Sequence, residues 1–350
     1  RACQGVLSPS IFAIPCSDLS GAKKLVMIGV TGTKGKTTTT HMIRAILLAA
    51  GKKVGMIGTT GTVIGDVVTP TLNTTPESYE LHQAFAQMVE AGCEYAVMEV
   101  SSQGIKMHRT DGLYFNYAIF TNISPDHIGP GEHADFEEYL YYKTRLLNMC
   151  GIGLVNKDDK HAPQIIKAAN CELYTYSEES KEADFVASDI RYVSQPDFVG
   201  TEFHISGKYD MEVRLGIPGL FNVVNALAAV SVCSFLGLDQ ARISHALENI
   251  RVNGRMEIVY TSERCTVLVD YAHNAVSMES LLSTLRDYKP KRLVCVFGCG
   301  GNRSKDRRYS MGEIGGKMAD LSIITADNSR YEKVEDIIAD IPGHPGTDQG

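Results

Sequence analysis

Apolar residues along this chain change their spacing several times, and each change predicts a different element. The runs LVMIGV (25–30), VGMIGTT (54–60), YAVMEV (95–100) and YAIFTN (117–122) are apolar at nearly every position, which predicts strands buried on both faces. Helical spacing marks the segments near 37–50, 76–91 and 135–149. Strands and helices in alternation predict a parallel α/β sheet. From 184 to 216 apolar and polar residues alternate, broken by Gly and Pro, which predicts an antiparallel patch on the same domain. FNVVNALAAVSVCSFLGL (221–238) predicts a long helix stopping at a glycine, and a shorter helix follows at 239–249.

RVNGR (251–255) is polar and reads as a linker. After it the alternation restarts with VLVD (267–270), a helix to about 287, RLVCVFG (292–298), a helix near 310–319, LSIITA (321–326) and a helix at 332–340. The expected organisation is a central domain over 25–255, a second α/β domain over 256–350 and a short segment, 1–24, outside both. No internal repeat or low-complexity tract is visible.

Composition narrows the function classes. A net charge of −7 on 350 residues argues against a nucleic-acid backbone as the main partner. The nine cysteines are scattered, with no CxxC pair and a closest spacing of Cys295 to Cys299. Zinc-finger spacing is therefore absent, and reduced thiols in a cytoplasmic protein are expected. No apolar run approaches the roughly 18 residues of a membrane helix. Residues 1–24 lack the cationic start and apolar stretch of a secretory signal.

The sharpest chemistry lies in GVTGTKGKTTTT (29–40), between a predicted buried strand and a helix. Glycines let backbone N–H groups close around phosphate oxygens, and the helix N-terminus adds partial positive charge. Lys36 would sit on the β- and γ-phosphates and the Thr37 hydroxyl would reach Mg²⁺, with Gly32, Thr33, Lys34, Gly35 and Thr38 lining the rest. The alternative is a Gly/Thr-rich turn with no ligand. The strict GxxxxGK[ST] pattern needs glycine at position 30, which is Val30.

The form found, TGTKGKTT, resembles the phosphate loop of the Mur ligase and folylpolyglutamate synthase superfamily. Ordered matches run along nearly the whole chain: NTTPE (73–77), MEVSSQGI with His108-Arg109, TNISPDH (121–127), FNVVNALAA (221–229), GRME (254–257), DYAHN (270–274), GCGGNR (298–303) and DNSR (327–330). The last two resemble the MurE type of Mur ligase. The resemblance implies a central P-loop-containing parallel sheet followed by a Rossmann-like C-terminal α/β domain, here incomplete. It also implies ATP, two Mg²⁺ ions and a monomer.

Glu99 ends an apolar strand, where an unpaired carboxylate is costly to bury. Alone it reads equally as a cap on the next turn, and His127 as an ordinary hydrogen-bonded side chain. The resemblance makes both ligands of the Mg²⁺ ions, together with Thr37. In ADFEEYLYYKTRLLNM (134–149), Phe136, Leu140, Lys143 and Leu147 share one helical face, so the lysine lies on the apolar side. A snorkelling side chain would satisfy that spacing. A buried lysine would instead have a depressed pKa and a neutral, nucleophilic amine able to take up CO₂. The family carries a carbamylated lysine at the matching position, so a CO₂-derived carbamate on Lys143 holding the second Mg²⁺ is expected.

The family's chemistry is attack of a precursor carboxylate on the ATP γ-phosphate, then displacement of phosphate from the acyl phosphate by an amine. Asn225 matches an adenine contact, though it also reads as a helix-face amide exposed to water. Arg255 and Asp270 match positions near the phosphates and ribose; each also reads as a surface charge. His273, in DYAHN, has a less defined role. Asn73, Thr74, Thr75, Ser101 and Arg109 match the segments that grip UDP-MurNAc-dipeptide, while Met107 stands where Gln is common. Arg303 and Asp327-Asn328-Ser329-Arg330 match the region that binds the incoming amino acid. Arg330 suits the distal carboxylate of meso-diaminopimelate, which lysine lacks. Ser329 replaces the usual proline.

Two departures accompany these matches. Residues 1–24 do not resemble the family's uridine-nucleotide domain, and IPGHPGTDQG (341–350) stands before any GKGHE-like region. A fragment with a whole central domain is expected. The alternatives are an L-lysine-adding ligase, a folylpolyglutamate synthase-like ligase and an inactive ATP-binding fragment.

Overall fold

The computed structural model describes residues 18–126, 128–129, 131–195 and 197–343. Predictions that fall on His127, residues 1–17 and residues 344–350 lie outside the described residues.

The described residues divide into two compact units, one within 18–191, 201–216 and 221–252, the other within 192–200, 217–220 and 253–343. In the first unit the elements run β1 (Val26–Thr31), α1 (Lys36–Ala49), β2 (Val54–Gly58), β3 (Gly61–Ile64), β4 (Val67–Thr69), α2 (Ser78–Glu90), β5 (Tyr95–Glu99), α3 (Ser102–Lys106) and β6 (Phe115–Phe120). They continue with α4 (Phe136–Thr144), β7 (Cys150–Asn156), α5 (Ala162–Ala168), β8 (Glu172–Ser177), β9 (Phe185–Gln195), β10 (Phe198–Gly207), β11 (Met211–Leu215), α6 (Leu220–Phe235) and α7 (Gln240–Glu248). An eleven-stranded sheet forms in the order β11-β10-β9-β8-β7-β6-β1-β5-β2-β3-β4.

Pairing is parallel from β2 through β5, β1, β6, β7 and β8 to β9, and antiparallel at β2–β3–β4 and β10–β11. Parallel strands all end on the same side of the sheet. The register pairs Val30 of β1 with Glu99 of β5 and Thr31 with Phe120 of β6, so the segments leaving these three strands emerge together. Ligands of open α/β sheets bind at such carboxyl ends.

Burial follows the spacing of apolar residues. Met42, Ile43, Ile46 and Leu47 on one face of α1 are fully buried, and α1 packs on β2, β5 and α7. Each such side chain contributes roughly 1.5–3 kcal/mol of hydrophobic stabilisation. Another cluster joins Met27, Ile57, Phe85, Met98, Phe115, Phe120, Tyr139 and Leu147. Among the described residues no helix is long and apolar enough to cross a membrane.

In the second unit β12 (Glu257–Thr261) and β13 (Thr266–Val269) form an antiparallel pair; α8 (Ala275–Asp287), β14 (Val294–Phe297), α9 (Lys305–Met318), β15 (Leu321–Ile324) and α10 (Val334–Asp340) follow. β14 and β15 pair in parallel. Met278, Leu282, Leu293, Met311, Ile337 and Ile341 form its core.

Several elements depart from the sequence expectation. The helix anticipated at 135–149 ends at Thr144 and tightens into a 3₁₀ turn, Arg145–Asn148, as helix C-termini commonly do. α9 begins at Lys305, ahead of the expected 310, because Ser304 caps it by accepting the Asp306 amide. β7, β8, β12, the β3–β4 hairpin, α3 and α5 also went unanticipated; most are short.

Candidate functional site

Gly35 precedes α1 in the left-handed region, with φ of 86°. A Cβ there would stand 2.4 Å from Asn225 Oδ1. Gly35→Ala therefore adds a collision to roughly 1–2 kcal/mol of backbone strain. We expect it to weaken nucleotide binding about tenfold or more, measured by calorimetric titration. Unchanged affinity would contradict a close-fitting loop.

The loop is clamped by the segment after β6. Thr33 N–H donates to the Asn122 carbonyl and Lys34 N–H to Asn122 Oδ1, both at 2.9 Å. Asn122 Nδ2 donates back to the Lys34 carbonyl at 3.0 Å, and Thr121 Oγ1 donates to the same carbonyl at 2.7 Å. Thr38 is buried within the first turn of α1. Asn225, 6% exposed, accepts from Thr39 Oγ1 at 3.4 Å and donates to Asn222 at 3.2 Å. The water-exposed amide reading of Asn225 is thereby corrected: α6 buries it against the loop.

Glu99 is 1% exposed. Its carboxylate accepts from Thr37 Oγ1 at 3.0 and 3.1 Å, from Thr59 N–H at 2.8 Å and from Thr59 Oγ1 at 3.2 Å. It does not cap the following turn; Ser101 does, accepting from Gly104 N–H at 3.0 Å. A Cβ at Gly58 would meet Glu99 Oε1 at 2.3 Å, so glycine at the end of β2 makes room for the carboxylate. Among the described residues Glu99's partners are threonines, none of them cationic. A buried carboxylate beside a hydroxyl and an uncompensated charge is a donor set that fits Mg²⁺.

Lys143 is 2% exposed, which corrects the snorkelling alternative. Its Nζ donates to the Gly32 carbonyl at 2.8 Å and lies 4.6 Å from the centre of the Tyr139 ring. Lys36 Nζ donates to the same carbonyl at 2.8 Å and to the Thr33 carbonyl at 3.1 Å. Burial drives the Lys143 pKa well below its ordinary value; Lys36 adds to the depression and Asp126 opposes it. The shift is toward the neutral amine, the form that reacts with CO₂.

The Thr-rich segment is tied to the same strand ends. Thr75 is buried, its Oγ1 donating to the Glu99 carbonyl at 3.0 Å and accepting from Ser101 N–H at 2.9 Å. Thr74 Oγ1 lies 3.1 Å from Thr59 Oγ1, while Asn73 is half-buried in the loop before them. Arg109 donates to the Thr75 carbonyl at 3.2 Å and pairs with Glu77 at 2.8 Å. Met107 is exposed.

In the second unit, Arg255 stacks over the Tyr271 ring at 4.5 Å, and Asp270 accepts from Met256 N–H at 2.9 Å and Ala272 N–H at 2.8 Å. Both have defined partners, unlike free surface charges. His273 Nδ1 lies 3.0 Å from the Tyr271 carbonyl. The two loops expected to hold an amino acid meet: Gly301 N–H donates to the Asn328 carbonyl at 2.9 Å, and Tyr331 N–H to Asn302 Oδ1 at 3.2 Å. Arg303, Asp327 and Arg330 are exposed on them, Arg330 with φ of 50°, and Ser329 is half-buried.

Sequence reasoning missed the residues that brace these loops. Arg308 on α9, 1% exposed, donates to both Glu332 oxygens at 2.8 and 2.7 Å and to Asp340 at 2.7 Å. Glu332 also accepts from Asn302 N–H, so one buried guanidinium ties the two loops together. Thr59, Gly58 and Tyr139 were missed likewise. The available signals were the Gly-Thr pair near the end of VGMIGTT and an arginine on the same helical face as Met311, three residues away.

Two family models match the chain: the Mur ligase middle domain over residues 30–233 and the Mur ligase glutamate ligase domain over 254–349. UDP-N-acetylmuramoyl-L-alanyl-D-glutamate--2,6-diaminopimelate ligase of Caldanaerobacter subterraneus subsp. tengcongensis is 40% identical over 324 residues, 91% of this chain and 65% of that protein. The Clostridium perfringens protein described in the same words is 38% identical over 326 residues, 91% of this chain and 66% of its own length. The chain thus spans 65–66% of the length of these curated relatives. A solved structure of such a ligase superposes with a TM-score of 0.73 at 31% identity, covering 93% of this chain and 66% of that one. Folylpolyglutamate synthase from Thermotoga maritima superposes with a TM-score of 0.71 at 17% identity, over 93% of this chain and 83% of that one, a likeness of fold alone.

Proposed function

Because this chain belongs to the Mur ligase family, we propose that the protein is an ATP-dependent ligase joining meso-diaminopimelate to UDP-N-acetylmuramoyl-L-alanyl-D-glutamate in peptidoglycan synthesis. The observation that carries this reading is the meeting of Lys36, Lys143, Thr37 and Glu99 around one phosphate loop. Lys36 and the N-terminus of α1 stabilise the growing charge of a transferring phosphoryl group. Thr37, Glu99, His127 and a carbamylated Lys143 would hold two Mg²⁺ ions, which supply further charge neutralisation at the phosphates. Asn225, buried against the loop, adds a nucleotide contact within the first unit in this reading. The precursor carboxylate takes the γ-phosphoryl group, and the amine of the incoming amino acid then releases phosphate from the acyl phosphate.

Asn73, Thr74, Thr75, Ser101 and Arg109 hold the precursor in this reading. Arg109 first has to exchange Glu77 for a substrate anion. Arg303, Asp327, Asn328, Ser329 and Arg330 hold the amino acid, and Arg330's forked donors favour a substrate with a second carboxylate. The curated relatives' shared substrate, 2,6-diaminopimelate, supports that choice. We further propose a domain boundary near 255.

Phosphate release by the full-length protein tests the reaction. It should require ATP, the UDP-linked dipeptide and meso-diaminopimelate together. Release that instead follows a folate and glutamate would overturn the proposal in favour of a folylpolyglutamate synthase.

A further inference from the structure

We propose that Asp159 is a positioning residue of the nucleotide site, acting through the segment that clamps the phosphate loop. That segment, Thr121–Ser124, follows β6 and lies beyond its last paired residue, Phe120. Its peptide groups need partners from elsewhere in the fold, since unpaired backbone donors are costly away from water. Asn122 holds the Thr33 and Lys34 amides, and Ser124 N–H donates to Thr33 Oγ1 at 3.0 Å. Ile123 lies between them, with its side chain buried.

The Ile123 amide donates to Asp159 Oδ2 at 2.6 Å. Asp159 sits in the turn between β7 and α5, and its other oxygen, Oδ1, accepts from His161 N–H at 2.8 Å. The carboxylate therefore bridges this turn to the clamp with two charge-assisted bonds. A second tether supports the same segment from β8, where the Tyr176 hydroxyl donates to the Phe120 carbonyl at 3.1 Å. Asp159 makes none of its bonds to the phosphate loop itself. Its influence passes through Asn122 and Ser124, which set where the Thr33 and Lys34 backbone stands. Nothing in the local sequence, NKDD (156–159), distinguishes Asp159 from Asp158, which accepts from Glu178 N–H at 2.9 Å just after β8.

Asp159→Asn keeps the shape and removes the charge. An amide oxygen serves one of the two N–H donors, and the NH₂ group faces the other as a second donor. The inference rests on reading the loop as a nucleotide site, so binding of ATP with Mg²⁺ by the unsubstituted chain is measured first, by calorimetry. If that chain does not bind, the nucleotide reading falls and this inference with it. With binding in place, a double-mutant cycle of Asp159→Asn and Asn122→Ala isolates the coupling. Asp159→Asn should weaken ATP binding about tenfold in the native background. The loss should be smaller once Asn122 is alanine, because the side-chain link to Lys34 is then gone, although the Asn122 carbonyl and Ser124 still reach Thr33. Equal losses in both backgrounds, or no loss in the native one, would overturn the inference while leaving the nucleotide site intact. Asp159→Glu, which keeps the charge and displaces it by one methylene, runs the same cycle if the asparagine variant does not fold.

Discussion

Lys143→Met should lower ligase turnover of the full-length protein on the order of 10³-fold while leaving the fold at least as stable. Methionine fills a similar volume and has no charge to desolvate. The native side chain is buried with its amine on the Gly32 carbonyl, an acceptor it shares with Lys36. Because burial lowers its pKa well below the ordinary 10.5, the unfolded chain binds a proton between the two values that the native chain does not. Stability contributed by this group therefore rises with pH through that window and is smallest below it. Denaturation of the two proteins across a pH series should show the variant's advantage greatest at the low end and shrinking toward pH 10.5. In parallel, native protein in bicarbonate should gain the mass of one CO₂ that the variant does not. Full turnover in the variant would end the carbamate proposal.

Glu99→Gln should cost on the order of 10²-fold in turnover and raise the Mg²⁺ concentration needed for half-maximal rate. Three donor groups, the Thr37 and Thr59 hydroxyls and the Thr59 amide, converge on the native carboxylate. Glutamine keeps one acceptor oxygen, turns an N–H₂ group toward those donors and removes the negative charge. Since Glu99 is buried with no cationic partner among the described residues, its neutral replacement should not lower the melting temperature. A Mg²⁺ titration identical to wild type would reduce Glu99 to a structural acceptor for Thr59.

The strands and helices around the phosphate loop were legible because their signals are local. LVMIGV and YAVMEV are apolar at nearly every position, as strands covered on both faces must be, and GTKGKTT stands between a strand and a helix. The spacing of Phe136, Leu140 and Lys143 placed the lysine on an apolar face, but spacing cannot distinguish an ammonium that reaches water from one that does not. That depends on Tyr139 and the Gly32 carbonyl closing over it. Asn225 shows the same limit: spacing allowed a water-exposed amide as the alternative, and the close approach to Gly35 that buries it lies far off in sequence. Asp159, Arg308 and Gly58 were illegible because each matters through one long-range contact, a backbone amide, a carboxylate pair or a close approach. Family resemblance supplied what periodicity could not, above all the proposed nucleotide, precursor and amino acid.

The most direct test gives the full-length protein ATP, Mg²⁺ and UDP-N-acetylmuramoyl-L-alanyl-D-glutamate with equal amounts of meso-diaminopimelate and L-lysine, and weighs the product. The account predicts the diaminopimelate tripeptide as the dominant mass, with ADP formed in step. A lysine tripeptide would contradict the role given to Arg330, and no tripeptide of either kind would contradict the proposed ligase reaction itself.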